Sequence, residues 1–186
     1  MVKSKTMRRT LSLFVIVLFL MPMTGCGYTM KSAFPERIRS VYVAPVKNTI
    51  DISTEISDKN RFKVYRPGLE VDVTNAVINR FIFDGNLEVT PQDRADSVLE
   101  IKLLDYRRDA LRYTDSDDIQ EYRLSITLDA VLYETRTKKV LWHESGLVGD
   151  ATYFLSGPYA IAEDEAAAKA VEDVSHRVIE RVMELW

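Results

Sequence analysis

Residues 120–135 read QEYRLSITLDAVLYET. Tyr122, Leu124, Ile126, Leu128, Ala130 and Leu132 recur at every second position. Between them stand Arg123, Ser125, Thr127, Asp129, Val131 and Tyr133. Side chains alternate across a strand, so a period of two over so many residues predicts a long strand with one apolar and one more polar face. A parallel sheet buried on both sides would read as continuous apolar residues, so the pattern favours an antiparallel sheet with one face packed.

The neighbouring segments extend that sheet. The turn RTKK (136–139) leads into VLWHESGLVGD, a second strand, and SVLEIKLLDY (97–106) places Leu99, Ile101 and Leu103 on one face. SVYVAPV (40–46) and NLEVT (86–90) read as shorter strands. The polar stretch 47–66 has no sustained period and reads as a long loop with a short strand of its own.

Two helices complete the order. PGLEVDVTNAVINRFIFDG carries apolar residues at Leu69, Val73, Ala76, Val77 and Phe81, a helical stripe. Pro67 suits its start, Glu70 its positive N-terminus and Gly85 its C-cap. The last segment has a stripe at Ala167, Val171, Val174, Val178, Val182 and Leu185. Each helix needs an apolar partner, which a half-buried sheet supplies. The reading is an α+β fold: one domain over 40–186, with a mixed, mostly antiparallel sheet of four or five strands and both helices on one face.

The N-terminus has a different character. Lys3, Lys5, Arg8 and Arg9 precede LSLFVIVLFLMPM (11–23), and the first 25 residues contain no acid. These 13 apolar residues are short for a membrane span, which needs about 20, and suit the apolar core of a secretory signal. The stretch ends in MTGC, and Cys26 is the single cysteine. A plain signal peptide or a retained anchor is the competing reading. The MTGC motif resembles the lipobox of bacterial lipoproteins, with Met where Leu is usual. Residues 1–25 are then a signal peptide, and Cys26 becomes an acylated first residue carrying palmitate-type chains. Residues 26–39 form a tether spanning at most about 50 Å, so the body works close to its bilayer.

Charge and motifs exclude several functions. The formal net charge of −3 becomes −7 without the first 25 residues, which disfavours a nucleic-acid partner. His143 and His176 stand in no metal-ligand spacing, and DSDD (115–118) lacks the glycine and distal Glu of a calcium loop. Neither a phosphate-binding glycine loop nor a nucleophile elbow is present. The expectation is a protein that is not an enzyme, with no metal and no cofactor. Basic residues gather at Arg107, Arg108 and Arg112, expected just past a strand, and at Arg136, Lys138 and Lys139 in the RTKK turn. They read either as solubilising loop tips or as contacts for lipid phosphate, where Arg binds bidentately.

Several of these stretches together resemble one family. CGY at the acylation site, VYVAPVKN, PGLEVDVTNAVINRFIFDGNLEV, ADSVLEIKLLDY, EYRLSITLDAVLYETRTKKVLW and EDVSHRVIERVMELW are similar to the LPS-assembly lipoprotein (LptE) family. That resemblance implies a lipoprotein on the periplasmic side of the outer membrane. It also implies a partner, an LptD-like β-barrel that the lipoprotein plugs while lipopolysaccharide reaches the outer leaflet. Gly27 follows Cys26 in place of the Asp that retains enteric lipoproteins in the inner membrane. On this reading Arg136, Lys138 and Lys139, helped by Arg107 and Arg108, touch lipopolysaccharide. The alternative is a generic periplasmic lipoprotein serving as accessory subunit of an envelope lipid or export transporter.

Overall fold

The computed structural model describes residues 38–50, 61–63 and 66–185. Cys26, the leader and most of the tether lie outside the described residues. The element order is β1 (Ser40–Val43), β2 (Lys47–Asn48), β3 (Arg61–Lys63), α1 (Leu69–Asp84), β4 (Glu88–Val89), β5 (Ser97–Tyr113), β6 (Ile119–Glu134), β7 (Val140–Phe154) and α2 (Glu163–Met183).

A mixed sheet in the order β4-β1-β5-β6-β7 carries the fold, and both helices lie on its apolar face. β5, β6 and β7 form an antiparallel meander, while β4, β1 and β5 run parallel. β5 is 17 residues long, and three short strands share its other edge. β1 pairs with 97–99, β2 with 102–103 and β3 with 107–109, the last antiparallel. The 47–66 stretch thus contributes two short strands, β2 and β3, to that edge. Residues 51–60 lie outside the described residues.

The alternation in β6 holds: Tyr122, Leu124, Ile126, Leu128, Ala130 and Leu132 are all buried. Opposite them the register pairs Leu99 with Leu132, Ile101 with Ala130 and Leu103 with Leu128. A β-bulge between Leu103 and Asp105 then shifts the parity of β5, so that Tyr106 is the next residue to face the core. The extra residue of a bulge moves every later side chain to the other face. β5 therefore runs on to Tyr113, seven residues past the expected end, and Arg107, Arg108 and Arg112 are strand residues rather than a loop.

α1 buries Leu69, Val73, Val77 and Phe81, as its stripe predicts. Pro67 and Gly68, the latter at φ 82°, turn the chain into the helix. Gly85, at φ 75°, closes it by donating its N–H to the Phe81 carbonyl at 3.0 Å. α2 approaches the sheet with a row of small residues, Ala166, Ala167 and Ala170, ahead of Val171, Val174 and Val178. Ile38, two residues before the expected domain start at residue 40, is 2% exposed and belongs to the core.

Candidate functional site

The described residues divide the predicted basic residues into two places. Ser97 of β5 lies opposite Glu134 at the end of β6, so the RTKK turn sits beside the start of β5. Arg107 is ten residues further along the strand, roughly 33 Å away at strand rise. The structure does not bring the two clusters together.

The strand arginines are engaged within the fold. Arg108 follows the bulge onto the helix side, where its guanidinium lies 2.6 Å from Glu163 at the start of α2. It also stacks over the Tyr122 ring at 4.6 Å. The Tyr153 hydroxyl donates to the same Glu163 oxygen at 2.9 Å, and Tyr122 and Tyr153 stack at 5.7 Å. Burial and then the Glu163 carboxylate push the Tyr153 phenol up to about 12, while Arg108 pulls it the other way. Arg107 points to the opposite face between Asp105 at 3.6 Å and Asp109 at 3.1 Å. Arg112 pairs with Glu121 at 3.5 Å. These contacts latch α2 to the sheet and lay charge pairs along its open face.

That open face carries further pairs. His143 Nε2 is 2.8 Å from Asp129 Oδ1, with Lys102 at 3.6 Å from the other oxygen. Burial raises the Asp129 carboxyl, but the His143 hydrogen bond and charge and the Lys102 charge outweigh it and hold the group below the usual range. His176 pairs with Glu180 one turn on. Among the described residues no group of three His, Cys, Asp or Glu side chains could hold a metal ion. The described helices include none long and apolar enough to cross a membrane.

The RTKK turn differs from the strand arginines because its cations form no ion pair among the described residues. Its backbone is pinned: Lys138 N donates to the Glu134 carbonyl at 2.9 Å, and Glu134 N to the Lys139 carbonyl at 2.9 Å. Thr135 N donates to the Asp96 carbonyl at 2.8 Å, and the Thr137 hydroxyl donates to the buried Glu134 carboxylate. Lys138 sits in the left-handed region at φ 57°, and its ammonium lies 5.1 Å above the Tyr133 ring. Arg136, Lys138 and Lys139 are exposed, and no carboxylate among the described residues pairs with them. Beside Arg136 is a depression of about 310 Å³ lined by Ile38, Ala95, Asp96, Glu134 and Thr135. Asp96 there accepts from Arg39 N at 3.0 Å and from the Ser40 hydroxyl at 2.9 Å. The basic turn therefore stands at the end of the sheet where the chain enters the domain.

A two-helix α+β domain with a pinned basic hairpin tip is the class of protein that this geometry defines. The sequence profile of the lipopolysaccharide-assembly family, LptE, matches residues 38–184, and the chain belongs to that family. No curated protein sequence matches it. Among solved structures it is similar to a hypothetical protein from Chlamydia trachomatis, with a TM-score of 0.47 and 14% identity over 78% of this chain and 95% of that one. It is also similar to the rare lipoprotein B from Shewanella oneidensis, with a TM-score of 0.43 and 13% identity over 77% and 94% of the two chains. The lipoprotein B of Nitrosomonas europaea gives 0.43 and 14% over 78% and 82%.

Proposed function

We propose that this protein is an outer-membrane lipoprotein, acylated at Cys26, that plugs an LptD-like β-barrel from the periplasmic side and guides lipopolysaccharide into it. The reading assigns it no catalytic step. The observation that carries it is the family match over residues 38–184. The open sheet face, with its half-buried charge pairs, supplies polar surface for a barrel lumen. Arg136, Lys138 and Lys139 contact the phosphates of lipopolysaccharide, because they are exposed cations on a pinned turn. Arg107 and Arg108, expected to help, are ion-paired with Asp109 and Glu163.

Two measurements test this. Affinity purification of the lipoprotein from solubilised membranes is expected to bring down a stoichiometric β-barrel. Recovery of an inner-membrane transporter instead would favour the accessory-subunit reading. In the second, Arg136→Ser, Lys138→Glu and Lys139→Ser are combined in the purified protein. Lipopolysaccharide binding is expected to weaken, most at low salt, because the lost attraction is screened at high salt. Unchanged binding would reduce the turn to a solubilising tip.

A further inference from the structure

α1 ends at the same end of the domain at which the chain enters. Glu88, four residues past the helix, pairs in register with Ser40 and donates its N–H to the Arg39 carbonyl at 3.0 Å. Just before that, Ile82 is 63% and Phe83 80% exposed, an apolar pair adjacent in sequence. The Arg80 guanidinium lies 5.3 Å over the Phe83 ring. Among the described residues no carboxylate pairs with Arg80, and its Nε is buried without a hydrogen-bond partner. Nearby Asp84 accepts from the Asn86 amide.

We infer that this corner, Arg80 with Ile82 and Phe83, rests on the phospholipid surface that holds the chain's own anchor. The inference rests on the acylation of Cys26 proposed above. An aromatic ring and an aliphatic side chain at the acyl boundary, with a guanidinium reaching headgroup phosphate, are the chemistry of an interfacial contact. Placement supports this occupant over a protein. Cys26 and Ile38 are twelve residues apart, so Ile38, at the same end of the domain as the corner, cannot lie more than about 45 Å from an acylated Cys26. Tethering at that range gives an effective concentration in the millimolar range, so a contact too weak to bind a free protein still forms. The contact fixes which end of the domain faces the bilayer, and leaves the opposite end, with the Asp115–Asp118 tip, pointing away.

The test uses the full-length acylated protein in vesicles of phosphatidylethanolamine and phosphatidylglycerol brominated near the headgroup. Phe83→Trp fluorescence is expected to be quenched roughly twofold more than that of the unsubstituted chain, whose Trp142 and Trp186 set the background. Adding Arg80→Gln is expected to remove much of the excess. Equal quenching of the two chains at equal flotation overturns the inference. A Cys26→Ser chain separates the premise: if it floats as well as its parent, acyl anchoring is wrong. Quenching of Phe83→Trp in the floated fraction still decides the docking.

Discussion

Gly149 of β7 lies directly under Val174 of α2. A Cβ built on Gly149 would come within 2.4 Å of the Val174 Cβ and backbone nitrogen and 2.5 Å of its Cα. No side chain fits there, so the glycine is what lets the helix axis descend onto the sheet beside Ala167 and Ala170. Gly149→Ala is therefore expected to destabilise the domain by about 1–3 kcal/mol, the usual range for overpacking. Adding Val174→Ala is expected to restore little, because the helix backbone itself blocks the site. Thermal melts of the single and double variants check this, and an unchanged Tm for Gly149→Ala would contradict it.

Leu128 is fully buried between Leu103 and Leu147 in the register, while its neighbour Thr127 is half-buried on the open face. Leu128→Ala is expected to cost about 2–5 kcal/mol and Val174→Ala somewhat less. Thr127→Ala is expected to cost under about 1 kcal/mol, since it removes no core volume. Urea denaturation gives all three, and equal midpoints for the Leu128 and Thr127 variants would reverse the facing.

Tyr153 predicts a pH dependence. Its phenol is raised from 10.0 to about 12 in the fold by burial and by the Glu163 carboxylate. Between those values the unfolded chain ionises and the folded one does not, so the unfolded state binds fewer protons and stability falls as pH rises. The contribution is whole below pH 10 and lost by about pH 12. Tyr153→Phe is expected to be less stable than the parent at pH 8 but to lose less between pH 10 and 12. Denaturant midpoints across that interval read the difference, and parallel curves would remove Tyr153 as the cause.

Lys138 separates charge from fold. A side chain at φ 57° is strained, and glycine relieves that strain, while the contact over Tyr133 is lost. Lys138→Gly is expected to leave stability within about 0.5 kcal/mol of the parent, with the two small effects opposed. Its lipopolysaccharide affinity at low salt is expected to fall, in line with the proposed phosphate contact. A large drop in Tm would show that the lysine serves the turn instead.

Most of the architecture was legible because it is written in local periods. Period two in β6 and the helical stripes of α1 and α2 place their core residues, and Gly85 marks where α1 stops. The end of β5 was not legible. The bulge at Leu103–Asp105 breaks the alternation just as the sequence turns charged, so RRDALRY (107–113) reads as lying past the strand. Arg108 stays on the strand through its pairing with Leu124 of β6, and its side chain is held by Glu163, 55 residues away, a partner that no local pattern announces. Two basic clusters that look alike in sequence therefore differ in the fold. Arg108 pairs with distant Glu163, Arg112 with Glu121 across the hairpin and Arg107 with its neighbours Asp105 and Asp109, while the turn cations face solvent. The place of the exposed Ile82–Phe83 pair is not legible in the sequence, because only the β1–β4 register shows which end of the domain it occupies.

The parallel pairing of β1 with β5 has a consequence for delivery. β1 leaves the N-terminus of the chain first, yet its partner Ser97–Leu99 comes more than fifty residues later. Non-local pairing of this kind is slow, since loop-closure entropy is met before contacts reward it. On the export proposed above, Val41 and Val43 precede both of their partner strands, β4 and β5, while the β5–β6–β7 meander can close hairpin by hairpin. A chain that emerges N-terminus first thus assembles its sheet from the later strands inward, and β1 joins it late.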